Sequence, residues 1–168
     1  MLTIARACRA VTGVFSQPAV LTLEDGHYTP DTLVIKSKRR IWLECKSAEE
    51  LRRRGETERL ERIARHFAAW GEIFRIVTDT DIAALGETVG NLRYLAQWRS
   101  VSVPEAISRA LPASAQVREL EAMIGLEHAW GAIADGWFTF DWRQPLTRNT
   151  QLLRSRERVW YEPGFLRT

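Results

Sequence analysis

Apolar and polar positions change period several times along the chain, and each change predicts an element. Residues 3–11 have the spacing of a short helix, and "VFSQPAVLTLEDG" then reads as a strand with Pro18 at its start or on an edge. "EDG" is a turn signal. "DTLVIKS" is apolar and β-branched, "KSKRR" is a polar turn, and "IWLECK" is a further apolar run. A connection this short permits only antiparallel pairing of the two runs. From residue 48 to 70 the period becomes helical, with Leu60, Ile63, Phe67 and Trp70 as the expected buried stripe, Gly55 as an interruption and Gly71 as the stop. "EIFRIVTDTDI" follows as a strand, expected to lie parallel to the "IWLECK" strand, and its "TDTDI" end caps a short helix.

The second half is built differently. "ETVGNLRYLAQWRS" is helical, with Leu92, Leu95 and Trp98 on its apolar edge. "VSVPEAISRAL" has Ser102 as an N-cap candidate, Pro104 in the first turn and Pro112 as the stop. "SAQVRELEAMIGLEHAWGAIADG" reads as one longer helix containing Gly125 and Gly131. "WFTFDW" alternates like a strand, "RQPLTRN" turns, and "TQLLRS" returns. Helix, helix, hairpin is a winged-helix-like outline, so the expected division is 1–100 and 101–168.

Composition narrows the class. At 168 residues, 45% hydrophobic and 27% charged, the chain suits a compact globular protein, and no apolar run is long enough to cross a bilayer. The opening "MLTIARACRAVTGVF" is interrupted by Arg6 and Arg9 and reads as structural, not as a targeting segment. Cys8 and Cys45 are the only cysteines and have no CxxC or CxxH spacing, which points to a reducing cytoplasm and away from structural zinc. The net charge of +3 is small, but its placement is uneven. Six arginines from Arg143 onward face only Glu157 and Glu162, and further clusters are Lys36, Lys38, Arg39, Arg40 and Arg52–Arg54. Such clusters favour a polyanionic partner such as DNA, although an ordinary solvated surface accounts for each cluster about equally well.

Asp31 opens one apolar run and Glu44 closes the next, so the antiparallel pair brings the two acids to one corner of a sheet. Lys46 lies two residues beyond Glu44 and shares its face, while the Cys45 thiol is expected to pack in the core on the other face. Two carboxylates, helped by the Cys45 backbone carbonyl, can hold Mg²⁺ or Mn²⁺ through oxygen. Such an ion polarises a phosphoryl oxygen and acidifies a water, and Lys46 could orient that water or stabilise developing charge. The arrangement suits hydrolysis of a phosphodiester. A lone ExK is usually just a solvated strand end; the preceding PD and the apolar hairpin make the chemical reading the stronger one.

In order along the chain, "SQPAVL", "HYTPDTLV", "LECK", "IFRIVTDTDI" and "VGNLRYL" carry a likeness. This set resembles the PD-(D/E)xK superfamily and, more closely, the catalytic domain of TnsA, the endonuclease subunit of heteromeric cut-and-paste transposases. The likeness spans roughly residues 14–98. It implies an α/β fold, a restriction-endonuclease-like core with a mixed central sheet, followed by a small helical winged-helix-like region. It implies Asp31 and Glu44 as metal ligands, Lys46 as the catalytic lysine and Gln17 in support. It also implies cutting at transposon ends with a DDE transposase subunit and an ATPase regulator as partners. Gln17, His27, Lys36, Lys38, Arg39, Arg40, Arg154, Arg156 and Arg158 are the candidate DNA contacts. One departure stands out. The family usually adds an acid from a helix ahead of the first strand, and here no acid precedes Glu24. Either that acid is dispensable, or Glu49 or another residue replaces it, or the chain cuts poorly and serves as a DNA- or transposase-binding adaptor. A general nuclease of the same superfamily, in repair or defence, is a further alternative.

His27 beside the PD pair could touch a phosphate, though a surface position is the plainer reading. His66 and His128 read as packing residues. Of Trp137, Phe138, Phe140 and Trp142, core packing is favoured over base stacking. The sequence contains no GxSxG, phosphate loop or dinucleotide fingerprint.

Overall fold

A computed structural model describes residues 2–23 and 26–167. They form two compact units. One runs to Leu85 and includes the tail from Glu162, and the other is Gly86–Tyr161. The boundary therefore falls earlier than residue 100, and the tail returns to the first unit.

The first unit is mixed α/β. Helix α1 (Leu2–Ala7) leads into β1 (Val11–Ser16), β2 (Leu21–Leu23), β3 (Gly26–Tyr28), β4 (Thr32–Lys36) and β5 (Arg39–Lys46). Then come α2 (Ala48–Leu51), α3 (Glu56–Ala69), β6 (Ile73–Thr78) and α4 (Asp79–Ala83). The central sheet has the order β1-β4-β5-β6. β1 and β5 each pair antiparallel with β4, and β6 pairs parallel with β5 after the α3 crossover. The mixed sheet, the tight hairpin and the parallel last strand are as the apolar pattern predicts.

Each face of this sheet carries its own core. Val34, Ile41, Leu43 and Val77 pack with Ala5 of α1, with Cys8 just after it and with Leu166 of the returning tail. Trp42 packs with Tyr28, Phe74 and the α3 residues Leu60, Ile63 and Phe67. The tail is fastened by Lys36. This buried lysine donates to the Leu166 carbonyl (2.8 Å) and pairs with Glu162.

Several expectations change. The single strand through Pro18 is two strands, because Gln17 adopts a positive φ of 43° and the proline adds no ladder donor. The "EDG" turn falls on Glu24 and Asp25, which lie outside the described residues. The interruption expected at Gly55 is present and complete: a Ser47–Glu50 capping box starts α2, and Gly55 at φ 82° separates it from α3. Trp70 lies beyond the end of α3 and is 52% exposed, so the buried stripe stops at Phe67.

The second unit contains α5 (Glu87–Ala96), α6 (Glu105–Ala110), β7 (Ser114–Gln116), α7 (Val117–Ile124), α8 (Leu126–Ala134), β8 (Phe138–Thr139) and β9 (Gln151–Arg154). A 3₁₀ turn, Gly164–Leu166, closes the tail of the first unit. β7, β9 and β8 form an antiparallel sheet in that order. The expected long helix is instead a strand and two helices, because Gly125 breaks it with φ 83° and ψ 156°. Pro104, not Ser102, occupies the cap position of α6. Only Phe138 and Thr139 of "WFTFDW" are in a strand. Phe138 is buried, while Trp137, Phe140 and Trp142 pack around the core of Val117, Leu120, Trp130 and Leu152. Asn91 is buried and pins the connection between β8 and β9. It donates to the carbonyls of Trp142 (3.0 Å) and Gln144 (2.8 Å) and accepts from the Leu146 amide (2.9 Å).

Candidate active site

The register of the central hairpin builds the site. Thr32 pairs with Leu43 and Leu33 with Trp42, so Asp31 and Glu44 come next as facing neighbours. Facing residues of an antiparallel pair share a sheet face. Asp31, Glu44 and Lys46 therefore lie on the α3 side, beyond the Leu33–Trp42 pair. Gln17, just past β1, joins the same end, because its amide donates to the Asp31 carbonyl (2.9 Å).

Glu44 is only 4% exposed and is held at both oxygens. Oε2 accepts from the Tyr28 hydroxyl at 2.6 Å, and Oε1 lies 3.2 Å from Lys46 Nζ. A buried carboxylate needs such partners to remain charged. Tyr28 is itself buried, and its pKa is pushed well above the ordinary tyrosine value, first by burial and then by the hydrogen bond and charge of Glu44. Its hydroxyl thus stays a donor at any working pH. Lys46 also meets Glu56 at the start of α3 (3.7 Å), and Glu56 in turn pairs with Arg59 (3.1 Å).

Burial opposes the charge on Lys46. The hydrogen bond and charge of Glu44, with Glu56 and Glu50 behind them, outweigh it and raise the lysine pKa above its ordinary 10.5. The stability from this pairing is complete below that ordinary value and fades only as pH climbs through the raised one. At neutral pH Lys46 is a fixed cation, suited to orienting water or stabilising an oxyanion and unsuited to abstracting a proton.

Asp31 is half-buried, and its Oδ2 accepts the Cys45 amide at 2.7 Å. An extended residue turns its N–H and C=O to the same strand edge. The Cys45 carbonyl thus faces the Asp31 side, where an oxygen donor would complete a site. The Cys45 thiol is exposed, not packed in the core: on that face of β5 the buried run of Ile41 and Leu43 ends before it. Partial burial and then the charge of Asp31 push its pKa up.

Among the described residues, no group of three or more His, Cys, Asp and Glu side chains is arranged to hold an ion. The donor set is two carboxylates and a carbonyl. That all-oxygen set fits Mg²⁺ or Mn²⁺, which are commonly held by one or two carboxylates while waters and substrate phosphate fill the other positions. No acid comes from α1, whose sequence is LTIARA. Glu49 is exposed in the first turn of α2, and the additional acid next to Lys46 is Glu56.

The remaining candidates are scattered. His27 is exposed on β3, with Nδ1 3.4 Å from the Thr22 hydroxyl. Lys36 is committed to the tail, and Arg40 pairs with Glu72. Lys38 and Arg39 are exposed at the β4–β5 turn. In the second unit, Arg154 donates to the carbonyls of Leu111 (2.5 Å) and Ser108 (2.9 Å), fastening β9 to the end of α6. Arg158 pairs with Asp135 (2.9 Å) and lies over the Trp137 ring (4.7 Å). Arg156 is exposed. Sequence reading missed Tyr28, Glu56 and Arg59. The signal for Tyr28 was its place three residues before Asp31, within "HYTPDTLV".

Compared with known proteins, the chain matches no family model and no curated sequence.

Proposed function

We propose that the chain is a metal-dependent DNA endonuclease subunit, TnsA-like, that hydrolyses phosphodiesters at transposon ends together with a DDE transposase. The observation that carries this reading is the shared face of Asp31, Glu44 and Lys46, with Glu44 buried and bonded to Tyr28 and Lys46. Gln17 beside Asp31 adds to it. The order of the first unit supports a restriction-endonuclease-like core: a helix, strands ending in an antiparallel hairpin, a crossover helix and a parallel strand. After α5, the second unit runs helix, strand, helix, helix, strand, strand with its first strand beside its last, which supports a winged-helix-like region.

Asp31, Glu44 and the Cys45 carbonyl would hold the ion. When bound, Mg²⁺ or Mn²⁺ supplies Lewis-acid polarisation of the phosphoryl oxygen and a more acidic water. Lys46, charged at working pH, places the attacking water and stabilises negative charge on the phosphorus oxygens. Tyr28 fixes the carboxylate plane of Glu44, and Asp31 is oriented by the Cys45 amide.

A second reading is favoured by a specific observation. Both Glu44 oxygens already have protein partners, and α1 supplies no acid, which suits a weakly active adaptor bound to DNA or a transposase. Calorimetric titration with Mn²⁺, followed by cleavage of end-containing DNA with and without a DDE transposase, separates the two. Metal binding together with cleavage supports the nuclease. A chain that binds neither Mn²⁺ nor Mg²⁺ and leaves DNA intact in the complete mixture supports the adaptor.

A further inference from the structure

Lys46 has two carboxylate partners. Its Nζ lies 3.2 Å from Glu44 Oε1 and 3.7 Å from Glu56 Oε1. Glu44 belongs to the same strand, whereas Glu56 opens α3 directly after Gly55 and brings a second acid to the end of β5. The Lys46 and Glu56 side chains are only 20% and 21% exposed, so solvent screens the pair incompletely. Glu56 is itself held. Arg59, one turn further along α3, pairs with the same Oε1 at 3.1 Å. Its guanidinium lies 5.8 Å from the ring centre of Tyr28, whose hydroxyl donates to Glu44. Glu44, Lys46, Glu56, Arg59 and Tyr28 thus close a ring of contacts. Glu50 also acts on Lys46 by charge, but its carboxylate is taken by the Ser47 amide (2.8 Å) and hydroxyl (3.0 Å). A glutamate in the first turn complements the helix dipole wherever its side chain points. This one points at Lys46.

The second partner matters once Glu44 is asked to ligate an ion. The ion and the lysine are both cations, and Glu44 Oε2 already accepts from Tyr28. Lys46 and a divalent ion therefore compete for the charge of one carboxylate, and like charges at close range oppose each other. A lysine stem is flexible, so an ammonium group that loses its only acceptor turns to solvent. Lys46 keeps a counter-charge in Glu56 and does not have to leave.

We propose that Glu56 is a positioning residue, which holds Lys46 beside the candidate ion site while Glu44 gives its charge to the ion. The proposal deepens the nuclease reading and rests on it for the role of Lys46. Glu56 acts through the lysine and is not a ligand of the ion. Arg59 keeps the Glu56 carboxylate in place for that task.

The test is calorimetric titration of the full chain with Mn²⁺. It compares wild type, Glu56→Gln, Lys46→Ala and the double variant, with circular dichroism melting to establish that each is folded. With Lys46 present, Glu56→Gln leaves the lysine dependent on Glu44, so Mn²⁺ affinity should fall about tenfold. With Lys46 removed, the same change should cost about threefold or less, the share carried by one lost charge in a hydrated site. An equal loss in both backgrounds overturns the proposal, because Glu56 then acts on the ion directly. A folded Glu56→Gln with wild-type Mn²⁺ affinity overturns it as well. A merely structural glutamate would lower the melting temperature without this dependence on Lys46. Cleavage of end-containing DNA is followed in the same preparations with a DDE transposase. Wild-type cleavage with an unaltered Glu56→Gln affinity rejects the positioning role alone. Coupling of Glu56 to Lys46 in a chain that binds Mn²⁺ and never cuts keeps the lysine anchor and rejects the nuclease reading. A wild-type chain that binds no Mn²⁺ removes both.

Discussion

Tyr28→Phe removes one oxygen and almost nothing else. The ring keeps its edge contacts with Phe67 and Phe74, so no cavity larger than a hydroxyl opens. What is lost is a 2.6 Å hydrogen bond to a carboxylate that is 4% exposed, from a donor that is 5% exposed. Hydrogen bonds to charged groups contribute about 1.5–3 kcal/mol, and a buried acceptor left short of a donor adds its own desolvation cost. The phenylalanine avoids burying a hydroxyl, which offsets part of this, so the expected net loss is about 2 kcal/mol. Urea unfolding, read by tryptophan fluorescence and by far-ultraviolet circular dichroism, measures it, with coincidence of the two probes as the two-state check. In a double-mutant cycle with Glu44→Gln, the coupling should account for most of that loss. Because the hydroxyl orients a proposed metal ligand, cleavage should also fall by about tenfold or more. A Tyr28→Phe chain within about 0.5 kcal/mol of wild type and free of coupling to Glu44 refutes the claim that this bond holds the site together.

Four further outcomes follow from the second unit. Asn91→Leu removes three hydrogen bonds to the connection between β8 and β9, so it should cost about 2–4 kcal/mol and speed hydrogen exchange at the Leu146 amide. Arg154→Ala should destabilise the unit by about 1–3 kcal/mol in urea through loss of its bonds to Leu111 and Ser108. Arg156→Ala should leave stability unchanged, making Arg156 the cleaner single-site test of DNA contact by the basic tail. Gly131→Ala should lower the melting temperature even though alanine favours helix, because the added methyl would sit 2.8 Å from Val101 Cγ1.

The sequence made the central hairpin legible because two β-branched, apolar runs flank a short polar turn, and little else can join them. Its register then places Asp31, Glu44 and Lys46 together, since a period of two leaves no choice of face. The α3 crossover was legible for the same reason: Leu60, Ile63 and Phe67 keep a helical spacing between two strands. What remained hidden depends on non-local contacts or on backbone torsion. Tyr28 reaches Glu44 from sixteen residues away, from the separate β2–β3 hairpin, whose packing against the α3 side of the central sheet no local pattern reveals. Trp70 looked buried by spacing, but the helix ends before it. Gly125 looked tolerable inside a helix, yet its left-handed φ makes two helices of one. The arginines of the tail looked alike in sequence. Arg154 and Arg158 are bound internally, and only their partners distinguish them from Arg156.

The central claim is that Asp31, Glu44 and Lys46 form a phosphodiester-hydrolysing centre. The most direct measurement is single-turnover cleavage of end-containing DNA by wild type, Glu44→Gln and Lys46→Ala, in Mn²⁺ and with the proposed DDE transposase partner, each variant checked for folding. Wild type should cut. Glu44→Gln should lose cleavage and Mn²⁺ affinity together, whereas Lys46→Ala should bind Mn²⁺ and still not cut. Cleavage by both variants at the wild-type rate would contradict the account.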